Sequence, residues 1–178
     1  MRRIFCLLSV LLVSVICLAF PQTCYADGGV VYVKDSGSDY NGGTGVWDAV
    51  QSLDTAVSLA GNGGIVVVCG PLTLSESGGN NVYSNGTRIT SVYGGTDYTS
   101  SYGAALIIKS HVYFFGDAVL ENISIKAQPA MMFFCGGNSI TFGNGINTTL
   151  NGSGSYPYIF GGTFCGRRFR RKIGRAHV

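Results

Sequence analysis

Charged residues are scarce in this chain: Asp, Glu, Lys and Arg make up only 12% of its 178 residues, whereas 46% are hydrophobic. This balance is the reverse of the one that keeps a chain disordered, so we expect a packed domain. Six of the twelve Lys and Arg lie between Arg167 and Arg175. Between residue 27 and that basic tail the acidic residues outnumber the basic ones, which disfavours nucleic acid as a partner.

Histidine is nearly absent, and so are the usual catalytic motifs. His111 is the only histidine before the tail, and we interpret it as a strand-edge or partly buried imidazole. The sequence contains no G-x-S-x-G elbow, no P-loop and no H-E-x-x-H. These absences exclude the motif-defined serine hydrolases, nucleotide-binding enzymes and zinc proteases.

Acid–base chemistry on a polysaccharide is also poorly supported. Glycoside hydrolysis requires two carboxylates that converge on one bond. Asp117 and Glu121 are the only close acidic pair in the strand-rich part, and we interpret them as a turn residue and an outward-facing strand residue. The basic residues available to a lyase lie far apart: they are Lys34, Arg88, Lys109 and Lys126. No catalytic residue is therefore assigned, and a non-enzymatic role is favoured.

Cysteine is too sparse to build a disulfide framework. Three of the six fall before residue 27, which leaves Cys69, Cys135 and Cys165, an odd number without a C-x-x-C pair. We expect each to be a small buried apolar residue rather than a metal ligand. A single disulfide among these three cysteines remains the alternative, and the sequence does not determine which two would form it.

The first 26 residues have the pattern of a secretory signal. Met1-Arg2-Arg3 precedes an uncharged apolar run from Ile4 to Phe20, and small residues at Cys24 and Ala26 predict cleavage after Ala26. An uncleaved anchor is the alternative, because the run is just short of the roughly 20 residues that span a bilayer. No later stretch is apolar enough to span a membrane, so we expect export, with no membrane contact after cleavage.

The segment from 30 to 64 predicts a strand, a loop and a helix. Val30 to Val33 form a short apolar run, and a loop rich in Gly, Asn, Asp and Ser follows it. Helical spacing of apolar residues from Val46 to Ala60 predicts an amphipathic helix of about four turns. Gly61 to Gly64 end it.

The loop offers weak candidates for a calcium site. Asp35, Asp39 and Asn41 carry oxygens of the type that calcium accepts. The same residue types stabilise turns by bonding nearby backbone, and we favour that role. No other cofactor is indicated.

From residue 65 to 164 short apolar runs alternate with Gly and Asn. Phe114 and Phe133, nineteen residues apart, each begin an aromatic pair that ends near a glycine, and Phe160 follows Phe134 after twenty-six residues. A repeat of roughly 20 residues predicts an all-β solenoid in which each strand pairs with its equivalents in the coils before and after it. Phenylalanine should then stack on phenylalanine, with glycine supplying positive φ at the turns. A β-sandwich is the alternative fold.

Two blocks of residues carry a family resemblance. The loop contributes Gly37, Ser38, Asp39, Asn41, Gly43 and Thr44, and the helix contributes Ser52, Leu53, Ala56, Val57 and Ala60. Together they resemble the N-terminal part of exported proteins of the pectin-lyase-like superfamily, with one extra residue between Asn41 and Thr44. Residues 106 to 164 resemble repeats of large bacterial cell-surface proteins only in the kind of repeat, and no motif residues are matched there.

The resemblance implies a right-handed parallel β-helix with an N-terminal capping α-helix, secreted or at the surface of a bacterium. It implies a partial β-helix domain over residues 27–166, with the capping loop and helix at about 30–64 and coils at about 65–164. The superfamily includes enzymes and adhesins, so the fold does not fix the function. We expect a non-catalytic adhesin-like protein; the alternative is the N-terminal part of a polysaccharide lyase or glycoside hydrolase whose catalytic coils are missing.

The expected partners are polysaccharides or cell-surface glycans, and nothing indicates an oligomeric state. Aromatic rings stack on sugars, and the chain is rich in tyrosine. The tyrosines that would form an exposed row are Tyr93, Tyr98, Tyr102, Tyr156 and Tyr158. Tyrosine is also an ordinary strand residue that needs no ligand.

The basic tail, residues 167–178, has a non-biological interpretation. Its last six residues, Ile173 to Val178, match one reading frame of a common sequencing-library adapter followed by a stop codon, and the adapter also completes the codon of Lys172. We therefore expect a truncated reading frame, with residues 172–178 not native. Whether Arg167 to Arg171 are native stays open.

Overall fold

Parallel β-sheets make up most of the fold. The computed structural model describes residues 28–76, 80–129 and 131–150, together with the backbone of strands at 158–160 and 170–172. The predicted signal peptide, Cys165 and residues 173–178 of the tail lie outside the described residues. Within them the chain is mostly strand with little helix, which confirms the all-β class.

Three multi-stranded sheets and one hairpin hold the strands, numbered along the chain. Sheet 1 is β1 (Val30–Val33), β2 (Ile65–Val68), β5 (Thr87–Thr90), β10 (Ala118–Glu121) and β13 (Ile140–Phe142). Sheet 2 is β3 (Pro71–Leu74), β8 (Ala105–Ile108), β11 (Ser124–Ala127) and β14 (Asn147–Leu150). Sheet 3 is β4 (Asn81–Val82), β9 (Val112–Phe114), β12 (Met132–Phe134), β15 (Tyr158–Phe160) and β16 (Arg170–Lys172). The hairpin is β6 (Val92–Tyr93) with β7 (Thr96–Asp97).

The chain visits the three sheets in the same order four times. The passes are β2-β3-β4, β5-β8-β9, β10-β11-β12 and β13-β14-β15, and we call them passes 1 to 4. All neighbours within the sheets pair in parallel except β15 with β16. Among the strands that the structure describes, no sheet closes on itself.

The core consists of inward-facing side chains aligned from one pass to the next. In sheet 1 the pairing runs through Val31, Val66, Ile89, Leu120 and Phe142. The first four are buried. Because each strand has only two to four residues, it buries its apolar side chains only by alignment with its neighbours, at about 1.5–3 kcal/mol per large side chain.

The pairing in sheet 3 differs from the expected stacking of Phe114 on Phe133. Phe133 pairs instead with Val112, and Phe134 pairs with Tyr113. Both Phe114 and Phe133 still point into the core, with ring centroids 6.2 Å apart. A two-residue shift keeps every side chain on its face, so the sequence pattern does not distinguish the two registers. The expected pairing of Phe134 with Phe160 is confirmed.

The predicted four-turn helix is wrong in its first half. Val46–Asp48 form a 3-10 helix, and the α-helix α1 spans only Leu53–Ala60. Between them Val50 lies extended beside Val33, its N–H donating to the Tyr32 carbonyl at 2.9 Å. Pairing with the strand edge therefore replaces helix there. Gly61 ends α1 with a φ of 70°, as predicted.

A short insertion in pass 2 was not predicted. It consists of the hairpin β6-β7 and the helix α2, Tyr98–Tyr102, which Asp97 caps and Gly103 ends. Five residues are too few to show helical periodicity, so the sequence pattern gave no sign of this helix. The insertion covers part of sheet 1, because Tyr93 and Tyr98 both pack edge-on against Tyr32.

Cys69 and Cys135 are buried free thiols, as expected for small apolar residues. Burial raises the pKa of both thiols above the ordinary value, so they stay protonated and unreactive near neutral pH. Neither is joined to the other.

Candidate functional site

The loop that carries the family motif covers the open edge of sheet 1. The Tyr32 N–H donates to the Gly43 carbonyl at 2.8 Å, and the Lys34 N–H donates to the Val50 carbonyl at 3.0 Å. Residues 43–50 thus form hydrogen bonds with backbone groups at the edge of β1 that do not pair with β2. An uncovered edge would be a template for pairing with another chain, so the loop protects the end of the sheet.

Asp39 fixes the loop to the start of α1. Its carboxylate accepts hydrogen bonds from the N–H groups of Gln51 at 2.9 Å and Ser52 at 2.8 Å, and from the Ser52 hydroxyl at 2.8 Å. Partial burial acts to raise the pKa of Asp39, but these hydrogen bonds outweigh it and hold the pKa below its ordinary value. Ser52 in turn caps α1 by accepting from the Thr55 N–H.

The other two calcium candidates also hold the loop to other segments of the chain. Asp35 accepts from the N–H and the hydroxyl of Thr73, at 2.7 and 2.8 Å, which ties the loop to β3. The side-chain nitrogen of Asn41 donates to the Ala49 carbonyl at 2.9 Å. The part of the chain that the structure describes contains no group of three or more His, Cys, Asp or Glu that could hold a metal ion. These contacts reach residues 8 to 38 positions along the chain, so the three side chains join the loop to other segments rather than bond the backbone of their own turn.

The charged residues considered for acid–base chemistry contact separate structural elements. The Asp117 carboxylate accepts from the Ser139 N–H at 2.7 Å, across one turn to the next pass. Glu121 forms an ion pair with Arg88 at 2.7 Å on the outer face of sheet 1. Lys109 and Lys126 are exposed, and His111 is half-buried with its ring edge-on to Phe134. The Asp117 and Glu121 carboxylates thus bond different partners, each of which belongs to the fold.

The expected row of exposed tyrosines is not formed by Tyr93 and Tyr98. Tyr98 is only 7% exposed, because α2 folds it onto Tyr32, and Tyr93 is half-buried against the same ring. Burial and the hydrogen bond with Tyr98 raise the pKa of Tyr32 to about 12. Tyr102 is exposed, whereas the side chains of Tyr156 and Tyr158 lie outside the described residues.

The most exposed aromatic side chains are instead Tyr40 and Trp47, which we call the loop aromatic pair. Tyr40 is fully exposed and Trp47 is 92% exposed. The Lys34 ammonium lies 5.9 Å from the centre of the Trp47 ring. In the sequence both residues lie between turn-forming residues, but the sequence does not indicate that their side chains would be exposed to solvent.

The backbone beside each member of the pair is held in place. Asn41, next to Tyr40, is anchored to the Ala49 carbonyl. Asp48, next to Trp47, accepts from the Thr44 N–H at 3.2 Å and hydroxyl at 2.8 Å, and these bonds lower the pKa of Asp48. The two exposed rings therefore extend from a fixed loop.

A second aromatic group, the outer ladder, lies on the outer face of sheet 3. Tyr83 stacks on Phe115 with ring centroids 4.8 Å apart, and Tyr113 stacks on Phe134 at 5.0 Å. These separations are close to the spacing of adjacent strands, so the rings stack along the direction from pass to pass. Within each stacked pair one face of each ring contacts its partner.

Comparisons of the chain with protein-family models, curated proteins and solved structures found no match. In the described residues no helix is long and apolar enough to cross a membrane.

Proposed function

We propose that this chain is an exported, non-catalytic surface protein that binds polysaccharides through the loop aromatic pair. Its scaffold, in this proposal, is a right-handed parallel β-helix in which passes 1 to 4 are successive coils. The repeated sheet order, the parallel pairing and the aligned core side chains support the scaffold. The strong right-handed preference of parallel crossovers supports the hand. A β-sandwich, built from antiparallel sheets, does not account for this pairing.

The observation that carries the binding proposal is the exposure of Trp47 on an anchored loop. A tryptophan left in water forgoes about 1.5–3 kcal/mol of burial energy, so its exposure at a fixed position favours a binding role. The apolar C–H face of a pyranose ring is suited to stack on such a ring. Because hydrogen bonds already order the loop, binding would cost little further conformational entropy.

Trp47 also provides the test, because it is the only tryptophan in the chain. We expect titration with the bound polysaccharide to shift the emission of Trp47 to shorter wavelength as the ring leaves water. In affinity electrophoresis over a panel of neutral and acidic plant and bacterial polysaccharides, Trp47→Ala should weaken retardation about tenfold, equivalent to about 1.4 kcal/mol.

Leu59→Ala is the matched control, since Leu59 is an exposed apolar residue that lies on α1 and not in the loop. It should be retarded like the parent protein. Equal retardation of Trp47→Ala and the parent would contradict the proposal, and so would a parent protein that no polysaccharide in the panel retards.

A further inference from the structure

An excess of negative charge surrounds the loop aromatic pair. The segment from residue 34 to 54 contains four aspartates against one lysine, which gives a net charge of −3. Asp39 directly precedes Tyr40. Asp48 directly follows Trp47, so each exposed ring has a carboxylate on a neighbouring residue. The four aspartates of the segment are Asp35, Asp39, Asp48 and Asp54.

The hydrogen bonds of these carboxylates do not neutralise them. Asp35, Asp39 and Asp48 accept from backbone N–H groups and hydroxyls, which are uncharged donors. Partial burial acts to raise the pKa of Asp39, but its hydrogen bonds outweigh burial, and those of Asp48 lower the pKa of that carboxyl too. Among the residues that the structure describes, the only carboxylate in an ion pair is that of Glu121. The negative charge of the loop is therefore available to a ligand.

The Trp47 ring already lies beside a cation. The Lys34 ammonium is 5.9 Å from the centre of this ring. A positive charge within about 6 Å of an indole is attracted by the negative face of the ring. Trp47 is nevertheless 92% exposed, so most of its surface is open to a second group. The site thus combines an open aromatic surface with surroundings that favour positive charge.

We propose that the loop aromatic pair selects glycans that carry protonated amino groups, such as polymers of glucosamine, over neutral glycans and over those that contain uronates. The C–H face of the sugar stacks on Trp47, and its ammonium group is attracted by the carboxylates beside the ring. The same charge disfavours a uronate polymer, and it disfavours contact with the loop of a second copy of this chain. The inference rests on the proposed glycan binding and adds the chemical class of the ligand.

Two tetrasaccharides that differ in charge are the probes: the glucosamine tetramer obtained from chitosan and its fully N-acetylated form. Calorimetric titration at about pH 5.5 keeps the aspartates ionised and the sugar amines protonated. At about 0.1 M salt the glucosamine tetramer should bind about fivefold more tightly, because opposite charges at an exposed site attract modestly. This advantage should disappear at about 1 M salt, where the Debye length is only about 3 Å. A shift in Trp47 emission shows that the probe reaches the loop.

Asp48→Asn tests the charge beside Trp47. The side-chain oxygen of asparagine can still accept from the Thr44 N–H and hydroxyl, so the loop should remain anchored. The preference for the glucosamine tetramer should fall about twofold to threefold in this variant.

Asp117→Asn is the matched control. It removes the same charge and retains an acceptor for the Ser139 N–H. Asp117 directly precedes β10, which lies three strand spacings, or roughly 14 Å, from β1. The Debye length at 0.1 M salt is about 10 Å, so this variant should prefer the glucosamine tetramer as strongly as the parent does. Circular dichroism of each variant reports whether it is folded.

Equal Kd values of the parent for the two tetramers would overturn the inference and leave the proposed function standing. Undiminished binding of the glucosamine tetramer by folded Trp47→Ala would also overturn it, because the ammonium groups would then bind away from the loop. So would a parent that fails to bind the glucosamine tetramer at about 10 mM. In that case retardation of the parent by a neutral polysaccharide decides separately whether the proposed function stands.

Discussion

Gly116→Ala should destabilise the protein by about 3 kcal/mol, the largest effect expected of a methyl group added at any glycine that the structure describes. A Cβ at this position would overlap the carbonyl oxygen of Ser84 in the preceding pass. That oxygen belongs to the backbone, so it cannot rotate away as a flexible side chain would. The Ser84 hydroxyl also donates to the Gly116 carbonyl at 3.0 Å, and separating the two turns would break this bond.

Gly45→Ala is the matched control for Gly116→Ala. Gly45 has an extended backbone with a φ of −174°, and an added Cβ there has no atom within 4 Å. We expect its stability to lie within about 1 kcal/mol of the parent, because alanine also restricts the unfolded chain. Urea unfolding followed by circular dichroism measures both variants. Similar midpoints for Gly116→Ala and Gly45→Ala would show that the two passes do not approach at this turn.

Asp39→Ala should lower the free energy of unfolding by about 2 kcal/mol at neutral pH. The substitution removes the acceptor for two backbone N–H groups and one hydroxyl at the start of α1. Hydrogen bonds to a charged group contribute about 1.5–3 kcal/mol, and the exposure of this carboxylate places the expected value at the lower end. Asp54→Ala, at an exposed position in the first turn of the same helix, should cost no more than about 1 kcal/mol.

The pH dependence of Asp39→Ala follows from the lowered pKa of Asp39. A carboxyl with a depressed folded-state pKa contributes its stability above the unfolded-state value, which is near 3.8 for Asp. That contribution is lost as the pH falls through the lower folded-state pKa. The difference in unfolding free energy between the parent and Asp39→Ala should therefore be constant from pH 7 to about 5 and shrink below pH 4. A difference that grows on acidification would contradict the assigned hydrogen bonds.

The class of fold is predictable from the sequence because it depends on the spacing of apolar residues. Strands such as Ile65–Val68 and Ala105–Ile108 are continuous or alternating apolar runs bounded by turn residues, and the structure has them as parallel strands. The register is not predictable from that spacing. Phe133 lies beside Val112 rather than Phe114, and both registers place the same residues in the core.

The role of particular glycines depends on contacts that composition does not reveal. We expected Gly116 to supply a positive φ at a turn, but it is not among the positive-φ residues that the structure describes. Its requirement is the close approach of Ser84 from the pass before. By contrast Gly136 does have a positive φ, of 51°.

The candidate site was only partly accessible from sequence. The motif residues Asp39 and Asn41 could be predicted to bond backbone, because their side chains are suited to it. Their actual partners, at Gln51 and Ala49, lie 12 and 8 residues away and could not be predicted from the local sequence. Trp47 and Tyr40 could not be identified as exposed, because aromatic residues in a glycine-rich loop can equally pack inward. Tyr98 illustrates the converse, since a short helix absent from the sequence prediction buries it.

Cysteine cross-linking on the outer face of sheet 2 tests the stacked parallel scaffold most directly. Ile107 and Lys126 are register partners in β8 and β11, and adjacent strands hold paired Cα atoms about 4.8 Å apart, within the range of a disulfide. The double variant Ile107→Cys/Lys126→Cys should form an intramolecular disulfide on mild oxidation. The displaced pair Ala105→Cys/Lys126→Cys should not. Cross-linking of the displaced pair in preference to the first would place Ala105 rather than Ile107 beside Lys126, and the register on which the account of successive coils rests would be wrong.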